Sequence, residues 1–248
     1  MKALQNKTAI ITGGSRGIGA AAAKHLAADG ANVVVNYATS EAAAREVVAA
    51  IEAAGGRAIA APGDVGRAAD VTRLFDAAEA AFGPASILVN NAAIHETRHL
   101  EKIDEEHYTK IFNTNVLGTL LFTAEFARRF KGEWGRVVNV SSGAARTGLP
   151  GSSLYSASKG ALEALTRVHA VELGSRGVTV NAVAPGPTET EMFKKGVPEE
   201  MKERMMSATI LGRLGQPEDI ASVIAFLCSD AGGWITGQFI DANGGRKL

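Results

Sequence analysis

Seven short apolar runs, separated by helical stretches, limit the kind of fold open to this chain. They read TAIIT (8–12), NVVVN (32–36), RAIAA (57–61), SILVN (86–90), RVVNV (136–140), VTVNAV (178–183) and QFIDA (238–242). They lack strict apolar–polar alternation. Strands covered on both faces have no need to alternate, and such strands belong to parallel sheets flanked by helices. The stretches between them carry helix signals. IGAAAAKHLAADG ends at Gly30, a C-cap residue. SEAAAREVVAAIEAAGG opens at Ser40 and closes at Gly55. RAADVTRLFDAAEAAFGP and the long segments 104–130 and 152–174 follow the same spacing. Short connections and repeated alternation predict an α/β fold: a Rossmann-type doubly wound sheet with right-handed crossovers. A chain of 248 residues suits one such domain over 1–248. One stretch, 187–215, breaks the rhythm. It has no strand and is rich in charge and Met, which suits a mobile flap or an ordinary helical insertion.

Composition narrows the function classes. Lys+Arg and Asp+Glu both total 26, so nothing favours nucleic acid or an anionic membrane as partner. Cys228 is the only cysteine, which rules out an intrachain disulfide. It sits in the apolar pattern IASVIAFLCSD, as buried filling would. The start, MKALQNKTAIITGG, has no apolar signal-peptide core, and no run reaches membrane-spanning length. The cytoplasm is therefore the expected location.

The stretch TGGSRGIG (12–19) follows the first strand run and opens a helix. Backbone N–H groups and the positive end of a helix dipole meet a pyrophosphate in that setting. Gly13 permits the tight turn, Gly17 lets the backbone approach the phosphates, and Gly19 lets the helix pack closely on the sheet. Gly13, Ser15, Arg16, Gly17, Ile18 and Gly19 are thus candidate cofactor contacts. The second strand ends VVVNYATS, with no acid to hydrogen-bond a ribose 2′-OH. Asn36, Tyr37, Ala38, Thr39 and Ser40 line that end, and Arg16 can pair with a 2′-phosphate. The expected cofactor is NADP(H) rather than NAD(H).

Tyr155 and Lys159 in YSASK are four apart, on one face of a helix. Ser142 ends the strand run RVVNVSS, at a carboxyl end where ligands bind in such sheets. Carbonyl reduction needs a proton donor at the oxygen. A neighbouring Lys ammonium is expected to lower the phenol pKa, while a serine hydroxyl holds the substrate oxygen.

With these motifs together, the chain resembles the short-chain dehydrogenase/reductase family over essentially its whole length. The matches are Thr12-Gly13-x-x-x-Gly17-Ile18-Gly19, Tyr155-x-x-x-Lys159 and Ser142. NNAA (90–93), Asn115 in NTNVLG, Pro185-Gly186 with Thr188 and Thr190, and Asp64 in GDV also match. The resemblance implies a strand order 3-2-1-4-5-6-7. It implies a ketone/alcohol oxidoreductase in which Tyr155 is the acid–base group and Lys159 lowers its pKa and binds the nicotinamide ribose. Ser142 would position the substrate oxygen, and Asn115 would hold a water linking Lys159 to solvent. Asp64 and Val65 would lie near adenine, Asn91 and Ala92 along the cofactor, and Pro185, Gly186, Thr188 and Thr190 beside the carboxamide. It also implies a homotetramer, or in some members a dimer, with interfaces on the 104–130 and 152–174 helices and the last strand.

Two departures stand out. Ala93 replaces the family's usual Gly, and Glu133 stands where 3-oxoacyl-carrier-protein reductases often carry a basic residue. Reduction of a 3-oxoacyl carrier-protein substrate is the alternative reading, and a non-enzymatic dinucleotide-binding scaffold is a second. HETRH (95–99) matches the zinc-protease signature H-E-x-x-H. That chemistry needs both His on one helix face, yet the motif directly follows a strand end. No metal is expected, and His95 is either a solvated loop residue or part of the substrate mouth.

Overall fold

The computed structural model describes residues 2–197 and 199–245. Every apolar run forms a strand: β1 (Thr8–Ile11), β2 (Asn32–Tyr37), β3 (Arg57–Pro62), β4 (Ala85–Asn90), β5 (Gly135–Val140), β6 (Val178–Pro185) and β7 (Phe239–Ala242). They form one sheet in the order β3-β2-β1-β4-β5-β6-β7, and every pairing is parallel. β1, β2, β5 and β6 are buried at every position, which explains their lack of alternation.

The helices are α1 (Gly17–Ala28), α2 (Glu41–Ala53), α3 (Ala68–Phe82), α4 (Glu105–Phe112), α5 (Gly118–Arg129), α6 (Ser153–Gly174), α7 (Glu191–Gly196), α8 (Glu199–Ser207) and α9 (Pro217–Cys228). Gly30, Gly55 and Gly83, just beyond α1, α2 and α3, all take positive φ, the left-handed geometry that stops a helix. One core cluster packs α1, α2 and α9 on one face of the sheet. The other packs α3, α5 and α6 on the opposite face through residues such as Phe75, Phe122, Phe126 and Leu173. Cys228 is fully buried in the first cluster, and burial pushes its thiol up to about 12.

The 104–130 segment differs from the single long helix expected. A π-helical turn, Asn113–Leu117, separates α4 from α5. Single π turns are costly in backbone terms and recur at functional sites. This one carries Asn115. The 187–215 stretch is helical: it holds α7, α8 and an isolated parallel bridge between Thr188 and Gly215.

Candidate active site

All seven strands run the same way, so the carboxyl ends of β1, β4, β5 and β6 open on one edge. The glycine loop lies there. Gly13 and Gly17 have φ of +60° and +52°, a region that side-chain-bearing residues rarely adopt. A Cβ at Gly19 would lie 2.4 Å from the Gly13 carbonyl oxygen, so α1 meets the loop at backbone distance. The N-cap residue of α1, Arg16, makes no side-chain cap. The first-turn N–H groups are therefore left for an external anion. A concave backbone that a Cβ would fill, ending in an uncapped helix, fits a dinucleotide pyrophosphate.

The loop is held from behind. The Asn91 amide donates to the Thr12 and Gly13 carbonyls at 2.9 and 3.0 Å. The Thr12 hydroxyl accepts from the backbone N–H of Asn91 and Ala92 at 2.9 and 3.0 Å. Asn36 is buried; its side-chain oxygen accepts from Gly13 N–H at 3.2 Å and its amide donates to the Gly63 carbonyl at 3.0 Å. Asn36 therefore fixes the loop, and Tyr37 packs into the core. Ala38 and Thr39 are exposed just beyond, with Ser40 part-buried. Arg16 reaches this corner, but it is engaged: it donates to Glu191 Oε2 at 2.8 Å and to the Ser40 hydroxyl. Asp64 caps the Gly66 N–H at 2.9 Å, and Val65 is buried against Gly118.

The opposite wall comes from β6. Gly186 lies against Asn243, where a Cβ would meet the backbone at 2.8 Å. The buried Thr188 donates to the Gly186 carbonyl at 2.9 Å. Thr190 caps α7 by accepting from Phe193 N–H, and its methyl group faces Gly17. Pro185 closes β6. The two sides of the cradle thus meet at Gly17 and Thr190.

Ser142, Tyr155, Lys159 and Asn115 converge beside this cradle. Lys159, 2 % exposed, donates from Nζ to the Val140 carbonyl at 2.7 Å. Its ammonium lies 5.7 Å from the Tyr155 ring centre. Burial pushes Lys159 down to about 7. Burial also pushes the Tyr155 phenol above its usual range, while the hydrogen-bonded Ser142 hydroxyl pulls the other way. The expected lowering of the phenol by Lys159 is therefore not what the chain alone produces. Desolvation opposes both charged forms and dominates here, and the ammonium is turned towards a carbonyl.

Asn115, 0 % exposed, brackets Ile94: its side-chain oxygen accepts from Ile94 N–H at 2.9 Å and its amide donates to Ile94 C=O at 3.0 Å. The same amide reaches the Ser158 hydroxyl at 3.0 Å. The π turn thus joins the β4 exit to α6.

Several contributors are visible only in three dimensions. A buried polar chain runs under the site, Asn90 to Thr123 and Asn139, then Asn139 to Thr166, all at 2.9–3.1 Å. Polar residues inside apolar runs were the available signal, because a buried amide needs partners. The HETRH segment has no helix over 95–99, so the geometry of the zinc signature is absent. Glu96 is ion-paired with Lys110 and Arg98 at 2.8 and 2.7 Å, and those hydrogen bonds hold it down at about 2. Among the described residues, no three His, Cys, Asp or Glu side chains group as a metal site. No helix among them is long and apolar enough to cross a membrane.

Comparison with known proteins agrees with this geometry. A family model described as "Enoyl-(Acyl carrier protein) reductase" matches residues 13–247. An uncharacterized oxidoreductase of Methylorubrum extorquens is 49 % identical over 100 % of both chains. The chloroplastic NADPH-dependent aldehyde reductase 2 of Arabidopsis thaliana is 43 % identical, covering 99 % of this chain and 95 % of its own. The crystal structure of an angucycline C-6 ketoreductase with bound NADP superposes with a TM-score of 0.92 at 38 % identity, over 98 % of this chain and 96 % of that one. With a family model spanning almost the whole sequence and relatives of this identity aligned end to end, the chain belongs to the short-chain dehydrogenase/reductase family of oxidoreductases.

Proposed function

We propose that this protein is an NADP(H)-dependent oxidoreductase that interconverts a ketone and a secondary alcohol, with Tyr155 as the acid–base group. The observation that carries the reading is the convergence of Ser142, Tyr155 and the buried Lys159 beside the glycine cradle. The cradle of Gly13, Gly17 and Gly19 would hold the dinucleotide, whose nicotinamide would supply or accept the hydride. Tyr155 gives its proton to the carbonyl oxygen in reduction and takes it back in oxidation. A phenol held above its usual range stays protonated at neutral pH, as a general acid must. Ser142 orients the substrate oxygen. Lys159 would turn from the Val140 carbonyl to hold the nicotinamide ribose and stabilise the phenolate once Tyr155 has given up its proton. Asn115 keeps Ile94 and Ser158 in place, and a relay water would be held beside it.

The NADP preference rests on charge. The end of β2 has no acid, and Arg16 with Ser40 forms a donor pair at that corner. The Arabidopsis relative is named NADPH-dependent, and the angucycline ketoreductase was crystallised with NADP. For a carrier-protein substrate, three of the cations near Glu133 are already engaged. Arg128 and Arg129 pair with Glu125, and Arg176 donates to the Ala127 and Phe130 carbonyls. A homotetramer belongs to the same proposal.

The test is a panel of ketones and 3-oxoacyl thioesters followed by NADPH and NADH consumption. The expected outcome is NADPH-dependent reduction of a ketone. Tyr155→Phe is expected to keep NADPH binding and lose at least about a hundredfold in kcat, the scale of a lost general acid. A strong NADH preference would refute the cofactor assignment, and full turnover by Tyr155→Phe would refute the mechanism.

A further inference from the structure

His95 of HETRH faces the Tyr155 cluster. Asn115 clamps the backbone of Ile94, and the next ring in the chain lies on Tyr155. The His95 and Tyr155 ring centres are 4.7 Å apart, inclined by 54°. That separation is in the range of favourable aromatic contacts. His95 Nε2 lies 2.9 Å from the hydroxyl of Ser152, a buried residue that is also the N-cap position of α6. Three residues on, Arg98 N–H donates to the Gly151 carbonyl at 2.8 Å. Gly151 has φ +76°, and a Cβ there would lie 2.7 Å from the Thr97 side chain. Three contacts therefore join the β4 exit loop to the start of α6, and His95 is the only one that also touches Tyr155.

We propose that His95 is a positioning residue: its ring holds the Tyr155 phenol in place against Ser142, and its hydrogen bond to Ser152 locks the 94–98 loop to the first turn of α6. The inference rests on Tyr155 being the proton donor. The groups facing the phenol are Lys159 from α6, Ser142 from beyond β5 and His95 from the β4 exit. His95 itself is faced by His107 of α4, and burial first, then that neighbour, push its imidazole below its ordinary value. A neutral ring covers Tyr155 without adding charge. Removing it admits water to the phenol and so favours the phenolate.

The experiment uses the ultraviolet signal of tyrosinate in the whole protein. The chain has three tyrosines, Tyr37, Tyr108 and Tyr155, so subtracting the titration of the matching Tyr155→Phe variant isolates Tyr155. His95→Ala is expected to lower the Tyr155 midpoint by about one pH unit, a partial loss of the desolvation contribution. It should move the alkaline limb of ketone reduction the same way and lower kcat about tenfold, the scale of a misplaced general acid. NADPH affinity should stay unchanged. His95→Phe keeps the ring and is expected to restore the midpoint. Ser152→Ala, which retains the His95 ring, is expected to give a smaller shift of the same sign and keeps the test open if His95→Ala fails to fold. A Tyr155 midpoint unmoved in His95→Ala, or in Ser152→Ala if that variant alone is folded, overturns the inference. Full turnover by Tyr155→Phe would instead sink the proton-donor reading, leaving the midpoint shift as a separate result.

Discussion

A methyl group at position 19 would sit 2.4 Å from the Gly13 carbonyl and 2.5 Å from the Asn91 amide nitrogen. Neither neighbour can yield easily: one is backbone, and the other is the side chain that ties β4 to the glycine loop. Gly19 is therefore required for close approach, and its role was legible because the spacing Gly13, Gly17, Gly19 follows a strand and opens a helix. Gly19→Ala is expected to force the loop outward. Overpacking of this kind costs about 1–3 kcal/mol, and where it falls on the phosphate cradle it should weaken NADPH binding by about five- to a hundredfold. Fluorescence titration with NADPH measures it. Gly174→Ala at the far end of α6, where a Cβ meets nothing within 4 Å, is the control and should bind normally. Equal affinities for the two variants would show that the loop adapts. Asn36 carries the complementary lesson at the same scale. A polar residue inside a buried strand announced that it needs partners. That those partners are Gly13 and Gly63, rather than a ligand, depends on how β1 and β3 pack beside it.

Among the elements, strands were legible and turns between helices were not. Apolar runs marked all seven strands: β1, β2, β5 and β6 are buried at every position, while the edge strands β3 and β7 are only partly covered yet keep the apolar run. The π turn at 113–117 left no such trace. NTNVLG fits an ordinary helix, and the extra residue is accommodated because Asn115 reaches Ile94 and Ser158 from that geometry. The tie between α7 and the glycine loop was equally hidden, since Arg16 and Glu191 are 175 residues apart in sequence. That tie has a consequence for cofactor choice. A carboxylate and a 2′-phosphate compete for one guanidinium. Both Arg16 and Glu191 are about half exposed, so the pair is worth at most about 1 kcal/mol. Glu191→Gln is expected to tighten NADPH about two- to fivefold and leave NADH unchanged, with Kd read by fluorescence titration. Arg16→Ala should weaken NADPH by tenfold or more while sparing NADH, since a hydrogen bond to a charged group contributes about 1.5–3 kcal/mol. If Glu191→Gln shifts both cofactors alike, α7 acts on the shared part of the dinucleotide, and the competition does not exist.

Across the whole molecule, chemistry and stability occupy opposite ends of the strands. Carboxyl ends gather the cradle and the Tyr155 cluster. At the start of β5, the Lys7 ammonium and the Arg136 guanidinium each lie 4.2 Å from the Trp134 ring centre, and Trp134 donates to Asp230 at 2.6 Å. Between these ends, the outer face of α6 leaves Val168 51 % and Val171 83 % exposed on the same helix that carries Tyr155 and Lys159. Apolar side chains three apart share a helix face, and grouped exposure of this kind marks an interaction surface more often than chance. The proposed tetramer would cover it. Val171→Glu tests this cleanly, because a substitution at so exposed a site should change the stability of a single chain by only about 0.5 kcal/mol. In an interface it would leave a charge desolvated and unpaired, which costs several kcal/mol. Light scattering of the native protein is expected to give about four times the 25.7 kDa chain mass. The variant should fall to a smaller species with an unchanged circular dichroism spectrum. An unaltered mass in Val171→Glu would remove α6 from the interface, and a native protein at one chain mass would remove the tetramer itself. If the variant dissociates and loses turnover together, the interface also supports the helix that presents Tyr155 and Lys159, and assembly becomes a condition of catalysis.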